Sequence, residues 1–400
     1  MKNTTTLKFT ISLVLLLLLL PPVNTDAIPA FARKYQISCQ VCHSPVMPRL
    51  KGFGEEFAGN GFRMTDYESP RHFIQTGDDR LSLFRELPVA VRMDGFVSYN
   101  FNNEGSADIG APFVLKILSG GEISEKISYY FYFLMSERGE IAGLEDAFIV
   151  VNDLFGTGVN FSIGQFAVSD PLFKGELRYT IEPYRIYAAA PGNSKTDLKY
   201  DRGIFLEKDI AATGTTLVAE IVNGSGIGEA GQGYLFDRDK HKNLMVKLNQ
   251  GIGDKLSVGF FGYFGREDLT DTLGIFTSGI KMFGPDMVLN LDDKFVLGLQ
   301  YVRRTDSDVF VASDGSKLTN VITQGGFAEV IFSPRGDMSK WYMAGLFNWV
   351  DSELDDLDYT SATIHAGYIL RRNLRAVGEF TYQFSGSRYA KVSAGFVSSF

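Results

Sequence analysis

Apolar and polar residues alternate with a period of two in one segment after another from residue 86 to the C-terminus, and no other feature restricts the fold as strongly. VAVRMDGFVSYNF (89–101) puts Val89, Val91, Met93, Val97, Tyr99 and Phe101 on one face and Arg92, Asp94, Ser98 and Asn100 on the other. Side chains of an extended strand point alternately to opposite faces, so such a segment separates two environments. KISYYFYFLM, KLSVGFFGYF, WYMAGLFNWV and YAKVSAGFVSSF repeat the pattern, and about sixteen such segments follow one another.

Their connections alternate in length. GGEISE, DLFGTG, DIAATGT, NQGIGD, LDDK, PRGDMS and RRN are short and turn-like. Residues 102–112, 167–200, 223–242, 305–318 and 351–359 form longer connections. An even strand number with short turns at one end and long loops at the other is the signature of a bacterial transmembrane β-barrel. Composition agrees: 33 Phe, 18 Tyr and 42 Gly accompany only 22% charged residues, and no apolar run downstream of the N-terminus is long enough to cross a bilayer as a helix. Counting back by twos from Phe400 gives Phe396, Ala394, Val392 and Ala390 on one face, a last strand suited to barrel assembly. A soluble β-sandwich or a soluble periplasmic cytochrome with a β-domain is the competing reading, disfavoured by the alternating loop lengths. The fold expected is an all-β transmembrane barrel of about 16 antiparallel strands.

The N-terminus has the three parts of a secretory signal: Lys2 and Lys8, an apolar core from Leu13 to Leu20, and a small-residue exit at Thr25, Asp26 and Ala27. Removing residues 1–27 takes the formal charge from −8 to −9, which argues against a nucleic-acid partner. Export and a barrel together point to the bacterial outer membrane, with its lipid as the first partner.

Between the signal and the barrel, residues 28–85 have a different texture, dense in Pro, Gly, Arg and Lys with short helical signals at 36–43 and 48–59. This region holds the chain's only two cysteines, in CQVCH at Cys39 to His43. C-x-x-C-H is the attachment sequence of a c-type haem. Two thiols three residues apart on a helical turn face one side, where they can bond both haem vinyl groups, and the adjacent His43 is the axial iron ligand. A thioredoxin-like reading needs a βαβ context that the segment lacks. Three domains are therefore expected: a signal peptide at 1–27, a small α-helical monohaem domain at 28–85 and a porin-like barrel at 86–400. The second axial ligand stays open between Met64, His72 and a site open or filled from elsewhere. Met47, four residues after His43, is expected to stay on the proximal side.

IPAFARKYQISCQVCHSPVMPRLKGFGEEFAGNGFRM, residues 28–64, resembles the N-terminal segment of fused monohaem cytochrome-porins of the outer membrane, relatives of which include iron-oxidising cytochrome-porins. Pro29, Phe31, Ala32, Arg33, Cys39, Cys42, His43, Pro48, Phe53, Gly54, Phe57, Gly61 and Phe62 carry the resemblance. It implies a single covalent haem c held in or at the mouth of the barrel, exchanging electrons between an extracellular partner, possibly iron, and periplasmic cytochromes. Lys34, Tyr35 and Lys51 depart from the iron-oxidising branch, so donor and direction stay open. The alternative is a solute-conducting porin with a redox-linked or tethered haem segment. An enzymatic role would be that of a one-electron oxidoreductase, since no hydrolytic or transferase cluster occurs.

Other constellations are less specific. Residues 169–187 hold Lys174, Glu176, Arg178, Glu182 and Arg185 among aromatics, and either fold into the pore as a constriction or lie outside with their charges solvated. His241 sits in a loop-like stretch and His365 within a strand pattern, neither with a second metal ligand nearby in sequence. Asp292 with Asp293, and Asp355 with Asp356, fall at turn or loop positions and suit turn chemistry.

Overall fold

A computed structural model describes residues 30–64, 77, 78, 80, 81, 87–101, 105–271, 274–310, 320–386 and 388–400. The signal sequence and His72 lie outside the described residues. Sixteen strands run from β1 (Val89–Asn100) through β2 (Ser106–Ser124), β3 (Ile127–Glu137), β4 (Gly143–Val151), β5 (Val159–Ala167), β6 (Tyr200–Ile210), β7 (Thr215–Val222) and β8 (Asn243–Ile252). They continue with β9 (Leu256–Asp271), β10 (Gly274–Leu291), β11 (Phe295–Asp306), β12 (Val321–Phe332), β13 (Trp341–Ser352), β14 (Tyr359–Arg371), β15 (Leu374–Gln383) and β16 (Tyr389–Ser399). Every strand pairs antiparallel with its sequence neighbours, and β1 pairs with β16 in the register Val97 to Ala394, closing the barrel. Closure satisfies the backbone groups that an open edge would expose to hydrocarbon.

The alternation seen in the sequence is the alternation of the wall. On β13, Trp341, Met343, Phe347 and Trp349 face outward, and Tyr342, Ala344, Leu346, Asn348 and Val350 face inward. On β16, Val392, Ala394 and the terminal Phe400 face outward as expected. Among the described residues no helix is long and apolar enough to cross a membrane. The exposed apolar face of the strands is what meets lipid.

The short turns share one end with the start of β1 and the end of β16; in outer-membrane barrels this end is periplasmic. One long-end connection differs from the sequence reading, and another is very short. The stretch 102–112 is mostly strand, because Ser106 and Ala107 pair with Asn100 and Tyr99 and carry the hairpin on beyond the apolar band. β9 and β10 stay paired to Asp271 and Gly274, leaving only residues 272–273 between them.

The interior is furnished. Residues 168–199, between β5 and β6, turn inward, and Phe173, Tyr184, Ile186 and Tyr187 pack with Tyr263, Met282, Phe327 and Leu346 of the wall as one buried apolar cluster. The reading of this loop as exposed and merely solvated is thereby corrected. Its aromatics find apolar inward positions on the wall, and its charges find partners there.

Candidate functional site at the periplasmic mouth

The N-terminal segment forms two short helices, α1 (Ala30–Tyr35) and α2 (Gly52–Gly59), with a 3-10 turn at Cys39–Val41 between them. Ser38 opens the turn by accepting from the Gln40 N–H at 3.4 Å. The Cys39 carbonyl then accepts from the N–H groups of Cys42 at 3.3 Å and His43 at 2.9 Å, which fixes the two cysteines one turn apart. Both are free thiols, and burial pushes both upward, Cys42 to about 11 with the neighbouring Cys39 adding to the effect.

His43 Nδ1 lies 3.1 Å from the Arg49 carbonyl oxygen. A carbonyl only accepts, so Nδ1 carries the proton and Nε2 keeps its lone pair. Burial lowers the His43 pKa, which also favours the neutral ring. Metal-bound histidines are oriented in this way, by a backbone acceptor on the second nitrogen. The donor set, two thiols one turn apart beside an oriented neutral imidazole, fits a c-type haem.

The motif residues after the C-x-x-C-H sequence hold this loop in place. The Lys51 N–H donates to the Cys42 carbonyl at 3.0 Å, and α2 passes so close that a Cβ on Gly54 would stand 2.3 Å from the Cys42 oxygen. Phe57 is buried edge-on against Phe31 and Phe62, with ring centres 5.3 and 6.2 Å away. Phe62 in turn stacks on Tyr130 of β3 at 4.2 Å. Gly61, at φ +71°, takes a left-handed turn directly over Ser128, a place closed to any side chain.

Bonds to β5, to β15 and to the turns after β2, β12 and β14 dock the segment in the mouth. Arg63 donates to the Glu125 carbonyl at 2.8 Å and Asn160 to the Gly59 carbonyl at 2.9 Å. Gln40 and Lys51 bond Asp337 in the β12–β13 connection, Arg372 donates to the Pro45 carbonyl, and Arg375 to that of Met47. Arg49 reaches inward to Glu329 at 3.0 Å, and the same carboxylate accepts from Tyr184 of the inner loop at 3.0 Å. Tyr179 donates to the carbonyls of Ser44, at 3.2 Å, and Val46, at 2.7 Å. The loop bearing His43 is thus tied to both the wall and the constriction.

The inner loop is pinned on its other side. Its Ile181 and Glu182 N–H groups donate to Glu379, and Asn348 bonds both the Arg185 N–H and the Pro183 carbonyl. Arg304 donates to the carbonyls of Ala189 and Thr196. Lys116 of β2 bonds Glu176. Although burial works against it, Lys116 and Arg92 hold the Glu176 carboxyl down at about 2. Between α2, the inner loop and the wall from β4 to β10 remains a cavity of about 600 Å³, with Glu55, Glu56, Glu207 and Asp209 at its α2 side.

The other candidates are placed as follows. The Met47 sulfur accepts from Ser399 at 2.7 Å, so this side chain is turned to the barrel seam. Met64 follows the Phe62 anchor on the side of the mouth where Phe62 stacks on Tyr130 and Arg63 bonds the Glu125 carbonyl. His365 is committed to Glu379 at 3.0 Å and Tyr342 at 3.3 Å, and His241 stands 3.6 Å from Asp268. Among the described residues no group of three or more His, Cys, Asp or Glu is arranged to hold a metal ion. Sequence reasoning missed Arg49, Tyr179 and Glu329. Each is an ordinary residue in a loop or strand, and its partner lies far along the chain.

No family model matches the chain, and no curated protein sequence does. Solved structures do. An anion-selective porin from Comamonas acidovorans is similar at 12% identity over 79% of this chain and 99% of that one, with a TM-score of 0.55. The chain has the fold of an outer-membrane porin. OmpT, an outer-membrane protein of Vibrio cholerae in its trimer form, is similar at 9% identity, TM-score 0.54, over 79% of this chain and 99% of OmpT. The outer-membrane channel DcaP of Acinetobacter baumannii is similar at 12% identity, TM-score 0.53, over 79% of this chain and 97% of DcaP. These matches take in nearly the whole of each porin, so about a fifth of this outer-membrane barrel protein is additional to what it shares with them.

Proposed function

We propose that this porin-fold barrel carries one covalent haem c on Cys39 and Cys42, with His43 as axial ligand. In this reading it passes single electrons between a redox partner that comes down the lumen from outside and carriers in the periplasm, periplasmic cytochromes first among them. The observation that carries the reading is the His43 Nδ1–H bond to the Arg49 carbonyl, which leaves Nε2 as the unprotonated ring nitrogen beside two free thiols one turn apart. When bound, haem supplies a one-electron iron couple. Met64 is the proposed second ligand, and a thioether in that place would raise the potential.

The chain's own residues divide the work. Arg49 orients the His43 ring through its carbonyl, while its side chain is held by Glu329. Gln40 and Arg372 keep the cysteine turn on the periplasmic rim, within reach of a periplasmic protein. The apolar band of such a barrel is about 25 Å tall. An outside partner must therefore be small enough to enter the lumen, and the cavity beside α2, with its carboxylates, suits a small cation such as an iron ion.

The porin fold itself favours a second reading, a solute-conducting channel whose haem segment is a redox-linked gate or a tethered carrier. One experiment separates the two. In proteoliposomes with a reductant outside and an oxidant inside, the wild-type protein should transfer electrons and show little ionic current. C39A/C42A should lose covalent haem and transfer while keeping the heat-dependent gel mobility of a folded barrel. A large current unaffected by haem loss, without transfer in the wild type, would establish the second reading.

A further inference from the structure

The outer wall carries a feature that the haem segment and the lumen do not use. On four adjacent strands the outward apolar rows are interrupted toward the external side after Leu244, Phe264, Phe283 and Tyr301. Tyr301 stacks on outward Trp349 at 6.3 Å, as aromatics do at the boundary between hydrocarbon and headgroups. The next outward positions, just before β8 and on β9 to β11, are all cationic: Lys242, Arg266, Lys281 and Arg303. Register brings them together. Phe264 pairs with Lys281, Gly279 with Arg266, and Phe283 with Arg303. On β13 the corresponding position is Asp351.

A groove of about 730 Å³ runs across the row. Lys242, His241, Arg266 and Lys281 line it, with Phe264 and Thr305 beside them, and among the described residues no carboxylate does. Lys242 is bonded to Asp237 at 2.5 Å, Arg303 donates to Gln324 at 3.5 Å, and Asp268, near His241, accepts from Thr277 at 2.6 Å. Among the described residues Arg266 and Lys281 meet no carboxylate, and both are exposed.

We propose that this groove binds the phosphate-bearing headgroup of an outer-leaflet lipid. An Arg fork and a Lys point charge, both without acidic partners and fixed on paired strands, form a site for phosphate oxygens. Phe264 and Phe283 directly below give an acyl chain an apolar floor that a free anion would not use. The position at headgroup level, on a chain whose net charge is otherwise negative, favours a membrane source.

The full chain, purified in neutral detergent, is tested by native mass spectrometry with diphosphorylated lipid A, with its dephosphorylated form, and with inorganic pyrophosphate as competitor. The wild type should prefer the phosphorylated lipid at least tenfold. R266Q/K281Q should lose that preference and keep the heat-dependent gel mobility. Should the double variant fail to fold, R266Q and K281Q singly carry the same comparison. Equal binding of the two lipids, or unchanged binding by the folded variants, would overturn the proposal. Pyrophosphate that displaces the lipid at equal concentration would overturn the membrane source and leave a soluble anion.

Discussion

At the scale of single residues, the mouth of the barrel depends on contacts that leave little room for change. Gly54 admits the Cys42 carbonyl where any side chain would collide with it, since the atom struck is backbone and cannot move aside cheaply. Gly54→Ala should push α2 off the cysteine turn and, on the proposed function, lower haem attachment several-fold, while the barrel, whose pairing lies elsewhere, still assembles. Haem staining beside the heat-dependent mobility shift reads both effects. A fully haem-loaded Gly54→Ala protein would mean that the helix and the turn are not packed as described. Arg49 matters for two reasons at once. Its carbonyl orients His43 and its guanidinium pairs with Glu329, a carboxylate only 1% exposed. Breaking a buried pair by removing one partner typically costs about 3–5 kcal/mol, so neither member is a neutral site for substitution.

At the scale of elements, the inner loop is the one whose place in the lumen can be tested by pH. Glu176 has its carboxyl depressed to about 2 in the folded protein, Lys116 and Arg92 outweighing burial, against roughly 4.3 in an unfolded chain. A depressed carboxyl contributes stability that is complete above the unfolded value and is lost as pH falls through the folded one. The docking of residues 168–199 should therefore weaken between about pH 4.5 and 2, visible as rising protease cleavage or amide exchange within the loop. Glu176→Gln should show weaker docking at pH 7 and a flatter acid limb. A loop equally protected at pH 7 in both proteins would remove the ion pair from the account of the constriction. α1 and α2 are too short to be stable alone and gain their structure from docking. Phe31, Phe57 and Phe62 supply an apolar face, and Tyr130 on the wall completes it.

At the scale of the whole molecule, closure of sixteen strands rests on the seam between β1 and β16. Its final hydrogen bonds run from the Phe400 N–H to the Val91 carbonyl at 2.9 Å and from the Val91 N–H to the Phe400 carbonyl at 2.7 Å. Deleting Phe400 removes both bonds and an outward aromatic at the lipid boundary. Outer-membrane levels should fall strongly, with accumulation of a protease-sensitive species in the periplasm. Normal membrane levels of the truncated chain would count against the seam as the closing step. The seam also links the barrel to the N-terminal segment, since Ser399 donates to the Met47 sulfur.

What the sequence determined by itself was whatever repeats locally. Alternation with period two set the strands, their number and their two faces, because each residue's side is fixed by its immediate neighbours. The C-x-x-C-H spacing likewise identified the candidate haem site, and the turn at Cys39 that presents it spans five residues. The tertiary structure alone decided where these parts meet. Arg49 and Glu329 are 280 positions apart, Tyr179 and Val46 133, and Asn160 and Gly59 101, so no local pattern encodes their pairing. The charges of residues 169–187 look the same in a solvated loop as in a constriction, and only the wall residues facing them distinguish the two. Lys242, Arg266, Lys281 and Arg303 are scattered through four segments of sequence and become one basic groove only when strand register aligns them, because a β-sheet brings together residues that the chain itself keeps apart.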